Sequence, residues 1–127
     1  MIAEGIASYF TLIAGGKKQN LKDAFWFGLV DEEHFKKWVE NCALKKSFVY
    51  EMLKKVIAGN SFDPALDALL FYVPGAKQEE LILGRFGYYY GFEVVRLVAE
   101  KAGTKVLYMP YEEFTEHIWR YFESNDA

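Results

Sequence analysis

The residues able to do chemistry in this chain are few and far apart. His34 and His117 stand eighty-three positions from each other, and Cys42 is the one cysteine. A catalytic zinc takes three side-chain ligands and keeps a fourth position open for water. The usual source of two of those ligands, His-Glu-x-x-His on a helix, does not occur in these 127 residues. Asp31-Glu32-Glu33-His34 and Glu113-Phe114-Thr115-Glu116-His117 each set a glutamate near one histidine, but neither has a second histidine four residues away. Glu4, His34, Cys42 and His117 form a conceivable makeshift metal set, and nothing in their spacing favours it. His34 reads as a first-turn surface residue and His117 as a residue on the polar or boundary side of its helix. A cysteine nucleophile needs a base and an electropositive setting. Cys42 lies among apolar positions and reads as a buried thiol. A phosphate-cradling glycine loop and a Gly-x-Ser-x-Gly elbow are both absent.

The stretch from Leu83 to Val95 is the oddest part of the sequence. It carries Gly84, Gly87 and Gly91, spaced three and four apart. A glycine inside a helix costs about 1 kcal/mol relative to alanine, so three on one stripe require a reason. One reason is close approach of a second helix backbone. The other is a cleft floored by the stripe and walled by Tyr88 and Tyr90, where a tyrosine hydroxyl donates to an oxyanion. Arg85 is a further candidate, though an exposed or ion-paired arginine is the commoner outcome.

The elements that must position these residues read as helices. Residues 2–14 are apolar at helical spacing, and Gly15-Gly16 stops them. Residues 21–27 form a short aromatic segment. Asp31 is a good N-cap for a long helix to Ala58, with acidic residues in its first turn; two shorter helices broken near 41–46 are the alternative. Ser61 or Asp63 caps a short helix with Pro64 at its first position, and Pro74-Gly75 ends it. Residues 78–102 read as the next long helix, stopped by Gly103. Residues 104–110 read as extended, and residues 111–123 as a final helix.

Composition bounds the function. A length of 127 residues suits one domain, 52% hydrophobic content suits a real core, and a net charge of −3 argues against global disorder. The lysines come as pairs interleaved with apolar residues, so no basic stripe for nucleic acid is present. A single cysteine rules out an internal disulfide, which suits a reducing, cytoplasmic setting. Neither a signal peptide nor an apolar run of membrane-spanning length is legible. Nine Tyr, eleven Phe and three Trp exceed the needs of a small core, so some rings are expected at a cleft or an interface.

Two short motifs resemble a known family. Glu4-Gly5-Ile6-Ala7-Ser8-Tyr9 is similar to the helix that supplies the third zinc ligand in gluzincin metallopeptidases: a glutamate, then glycine, an apolar residue, alanine, any residue and an aromatic. Gly87-Tyr88-Tyr89-Tyr90-Gly91-Phe92-Glu93-Val94-Val95 resembles the Gly-Tyr-x-x-Gly-Tyr-x-Ile-Val helix of the predicted zinc-dependent proteases grouped as domain of unknown function 2268. The order and approximate separation of the two motifs also agree. The resemblance implies that Glu4 is the zinc-binding carboxylate and that Tyr88 is the tyrosine able to stabilise a transition state. Phe92 stands where the family has its second tyrosine, so no hydroxyl role carries over there. Because the His-Glu-x-x-His helix is missing, the chain looks like the C-terminal portion of such a domain: a fragment, a truncated reading frame or a relic.

The resulting expectation is an all-α compact bundle of about five helices, inactive as this isolated chain. Zinc enters only if His-Glu-x-x-His is supplied from outside it. The alternative is a non-catalytic helical module whose aromatic surplus and glycine stripe serve a protein or peptide partner, or a homodimer.

Overall fold

The computed structural model describes residues 5, 6, 9, 10, 32–59, 63–71, 83 and 85–124, the side chain of residue 111 excepted. The architecture is all-α. In chain order the elements are α1 (Glu32–Gly59), α2 (Pro64–Phe71), α3 (Phe86–Ala102), a 3-10 segment (Gly103–Tyr108) and α4 (Tyr111–Glu123). Gly5, Ile6, Tyr9 and Phe10 are helical, and no strand occurs among the described residues. Glu4, Gly15-Gly16, the segment 21–27, Asp31, Ser61, Pro74-Gly75 and Gly84 lie outside the described residues.

Helix α1 runs unbroken for 28 residues and buries Phe35, Trp38, Cys42 and Val49. Their spacing of three, four and seven forms one stripe. The break considered at 41–46 does not occur, since that stretch holds neither glycine nor proline and Cys42 is fully buried within it. Asp63 is the cap of α2: its Oδ1 accepts from the Ala65 and Leu66 amides at 2.9 and 3.3 Å.

Two sequence expectations need correcting. Helix α3 begins at Phe86, eight residues later than expected, because Arg85 takes φ 59°, ψ 26°. A left-handed residue cannot continue a right-handed helix. The stretch after Gly103 is a 3-10 helix rather than extended chain. Gly103, at φ 60°, ends α3, and the tight coil then inserts Val106 fully into the core.

Helix α3 is the axis of the fold. Ten of its 17 residues are buried, on all sides in its first half. Two apolar clusters form around it. One joins α1, α2, the first turns of α3 and Phe122; the other joins Val95, Val98 and Ala99 to Val106 and Phe114. Tyr9 packs against both clusters.

The glycines permit this packing. A Cβ on Gly5 would collide with the carbonyl of Gly91 and sit 2.9 Å from the Phe92 amide nitrogen. A Cβ on Gly87 would sit 2.7 Å from the Phe71 ring and 2.9 Å from the Leu70 carbonyl oxygen. The stripe therefore receives two neighbours in succession, α2 at Gly87 and the N-terminal helical residues at Gly91. No helix among the described residues is long and apolar enough to cross a membrane.

Helix propensity alone would make Gly5→Ala stabilising by about 1 kcal/mol. The obstruction at Gly5 is backbone and cannot swing away. The substitution is therefore expected to destabilise the chain by about 2 kcal/mol, in the range of overpacked cores. The urea midpoint checks this, and a midpoint at or above the parent's would show that the two segments do not meet in this way.

Candidate functional site

The sequence-derived candidates do not converge on one site among the described residues. Glu4 lies outside them, but its neighbour Gly5 is seated on α3. Tyr88 is 8% exposed and packs edge-on against Phe71, with ring centroids 6.1 Å apart. It lines neither the cleft nor the groove described below. Tyr90 is fully buried, and its hydroxyl donates to the Cys42 carbonyl at 2.5 Å. Its hydroxyl is thus committed to tying α3 to α1, not to walling a cleft. Arg85 is buried rather than exposed. Burial pulls its guanidinium below the ordinary value, and nearby Tyr88 pushes it back up. Cys42 is buried, and desolvation pushes its thiol well above the ordinary range. This thiol is not a nucleophile. His34 is half-buried in the first turn of α1, and His117 is half-buried on α4. Among the described residues no three His, Cys, Asp or Glu side chains gather into a metal site.

What the fold does build is a cleft of about 720 Å³ between α1, α3 and α4. Its floor is apolar, with Val94, Val98 and Phe122. Its walls are charged. Arg96 binds Glu93 through Nε at 3.1 Å and Nη2 at 2.6 Å, and Glu100 through Nη1 at 2.8 Å. Burial works to lower the Arg96 guanidinium, and the two carboxylates outweigh it and raise it. Lys46 Nζ donates to the Ser124 carbonyl at 3.1 Å and stands 4.0 Å from the centre of the Tyr121 ring. Lys101 and Arg120, both exposed, complete the cationic rim. Tyr89 and Tyr121 are pushed far above the ordinary phenol range, first by burial and then by the Glu93 carboxylate. Both hydroxyls are therefore held protonated at neutral pH, with the Tyr89 hydroxyl hydrogen-bonded to Glu93.

A second, shallower groove of about 320 Å³ lies between the ends of α1 and α4, lined by Tyr50, Lys54, Ile57 and Trp119 among others. The aromatic surplus is distributed accordingly. Phe86, Tyr90 and Phe122 fill the core, whereas Tyr89, Tyr121, Tyr50 and Trp119 line the two openings.

Sequence reasoning did not find the cleft. The steps of three and four from Glu93 to Arg96 to Glu100 were readable as a helical ion-pair run. That it borders a cavity depends on how α4 crosses α3, which no local pattern encodes. Comparison with protein-family models, with curated proteins and with solved structures gives no match to this chain.

Two predictions follow from the tyrosines. Tyr90→Phe keeps the ring on Phe122, 5.1 Å away, and removes only the bond to Cys42. It is expected to lower stability by about 1 kcal/mol in urea unfolding, whereas an unchanged midpoint would make the bond dispensable. Tyr89, Tyr90, Tyr121 and Cys42 all have raised values, so the fold holds them protonated. The unfolded thiol ionises near pH 8.5 and unfolded phenols near pH 10. Their stabilising contribution is therefore complete at lower pH and is lost as pH rises, beginning at about 9 and steepening above about 10. Tyrosinate absorbance from these three rings should appear together with loss of helix signal. Free titration of all tyrosines near pH 10 with the helices intact would contradict their burial.

Proposed function

We propose that the chain is the C-terminal portion of a zincin-like metallopeptidase of the predicted zinc-dependent protease type. In this reading Glu4 is the third zinc ligand. The supporting observation is the seating of Gly5 on the Gly91 carbonyl, with the Tyr9 ring 6.1 Å from Phe92. The two segments that carry the resemblance are eighty-six positions apart in sequence, from Gly5 to Gly91, yet form one close helix crossing. Phe92 is 1% exposed and faces Tyr9. A hydroxyl at that position would be desolvated, which accounts for phenylalanine in place of tyrosine.

By themselves these residues do not fit a catalytic zinc. They offer one carboxylate and no histidine pair, and the described residues hold no three-ligand group. Zinc binding and hydrolysis require a His-Glu-x-x-His helix supplied from outside the chain. Tyr88, buried against Phe71, is in this reading a residue that supports the α2–α3 packing unless the added segment opens its surroundings.

A second reading is a non-catalytic helical module for a protein or peptide partner, or for a second copy, in a cytoplasmic setting. It is supported by Leu44 and Phe48, 78% and 52% exposed one turn apart on α1.

The deciding experiment pairs the coding sequence upstream of Met1 with the intact mass of the protein from its source. The metallopeptidase reading expects an in-frame His-Glu-x-x-His and a mass above that of these 127 residues. It further expects Glu4→Gln in that longer protein to lower zinc retention and to lower activity by at least about a hundredfold, the upper end of what losing an outer partner of a metal ligand costs. A native protein beginning at Met1 that neither binds zinc nor hydrolyses peptides would overturn the reading and leave the interaction module.

A further inference from the structure

The charges around the α1–α3–α4 cleft are not balanced. Four full cations line it, Lys46, Arg96, Lys101 and Arg120, against two carboxylates, Glu93 and Glu113. Arg96 is occupied by Glu93 and Glu100. Lys101 on α3 and Arg120 on α4 make no ion pair among the described residues, and both border the same opening. The chain as a whole carries a net charge of −3, so this is a local excess of positive charge on an acidic protein. Val94, Val98 and Phe122 line the cleft beside the Tyr89 and Tyr121 rings, so its surface is more apolar than polar, and Leu97 in the same lining is 42% exposed. A volume near 720 Å³ lies within the range of small-molecule sites.

We infer that this cleft binds a small organic carboxylate with an apolar body, its charge taken by Lys101 and Arg120 and its body by Leu97, Val94 and Val98. The wall also limits the charge of the ligand. Counting Glu100, which holds Arg96 from outside the lining, four cations face three carboxylates, so the surplus is one positive charge, which a single carboxylate matches and a phosphate or a polyanion exceeds. The apolar floor then favours an amphiphile over a bare anion. Lys101, Arg120, Leu97 and Val98 lie outside the zinc-type motifs, and Glu93 and Val94, which lie inside one, are given no role by the resemblance, so the inference stands independently of the metallopeptidase reading.

The test is an NMR titration of the 127-residue chain with two probes, decanoate and the peptide acetyl-Ala-Ala-Phe with a free C-terminus. Decanol and the peptide amide serve as uncharged counterparts. Saturable shifts are expected at the Leu97, Val94 and Val98 methyls and at Arg120 Nε–H. The uncharged counterparts should bind about tenfold more weakly, the effect of one charge-assisted contact. Arg120→Gln and Lys101→Gln, both at exposed positions, should each weaken binding about threefold, with the urea midpoint unchanged. Binding of decanoate alone would assign the site to fatty-acid-like ligands, and binding of the peptide alone to polypeptide C-termini. Absence of saturable shifts with both probes, equal binding of the uncharged counterparts, or indifference to both substitutions would overturn the inference.

Discussion

The fold depends on one close approach, the contact between Gly5 and the backbone at Gly91. A helix pair separated by ordinary side chains lies 8–10 Å apart. With glycine facing glycine the backbones can meet directly, and the N-terminal helical residues reach Val95 and Val98 through Ile6, Tyr9 and Phe10. Substituting a side chain at this crossing would push the segment outward and uncover the lower cluster. Gly87 plays the same part for α2. Two segments distant in sequence are thereby held on one helix with little space between them, which is how a chain of this size encloses the first half of α3 on all sides.

This dependence explains which features were legible in the sequence. The long α1, the Asp63 cap with Pro64 and the final helix each follow from local signals: periodicity, a capping carboxylate and an acidic first turn. The start of α3 was not legible because Arg85 takes a left-handed conformation that a glycine, not an arginine, would announce. Residues 104–110 misled for a related reason. Val106, Leu107 and Tyr108 favour strands intrinsically, but no second strand is available to pair with them. Burial of Val106 decided the local geometry instead. The exposed Leu44 and Phe48 fall off α1's core stripe, since Leu44 follows Cys42 by two residues and so points to the opposite face, whereas Ile57 lies nearer the stripe and is exposed at the helix end.

The candidate site was legible in a different proportion. The glycine stripe was read as a surface for close approach or as the floor of a cleft, and the contacts at Gly5 and Gly87 are of the first kind. Tyr88 and Tyr90 pack inward, whereas Tyr89 between them lines the cleft. Consecutive helical residues point about a hundred degrees apart, so an error of one residue in register moves a hydroxyl from core to opening. Sequence alone identifies the aromatic cluster but not the member that faces out.

Helix α3 changes character along its length, and the change links scaffold to cleft. From Phe86 to Phe92 it carries no charge and is enclosed by α1, α2 and the N-terminal helical residues. From Glu93 onward one face holds Glu93, Arg96 and Lys101, while Val95 and Ala99 remain buried on the other. Flexible charged side chains ordinarily lose entropy on binding a ligand. Here Arg96 is already fixed by two carboxylates, Lys46 by the Ser124 carbonyl and the Tyr121 ring, and the helix beneath them by its buried face. The wall of the cleft is therefore ordered in the folded chain, and the entropy cost of holding a carboxylate would fall on Lys101 and Arg120, the two cations that no carboxylate holds among the described residues. The glycine crossing holds α3 in place, α3 sets the cleft wall, and the wall limits the charge the cleft accepts.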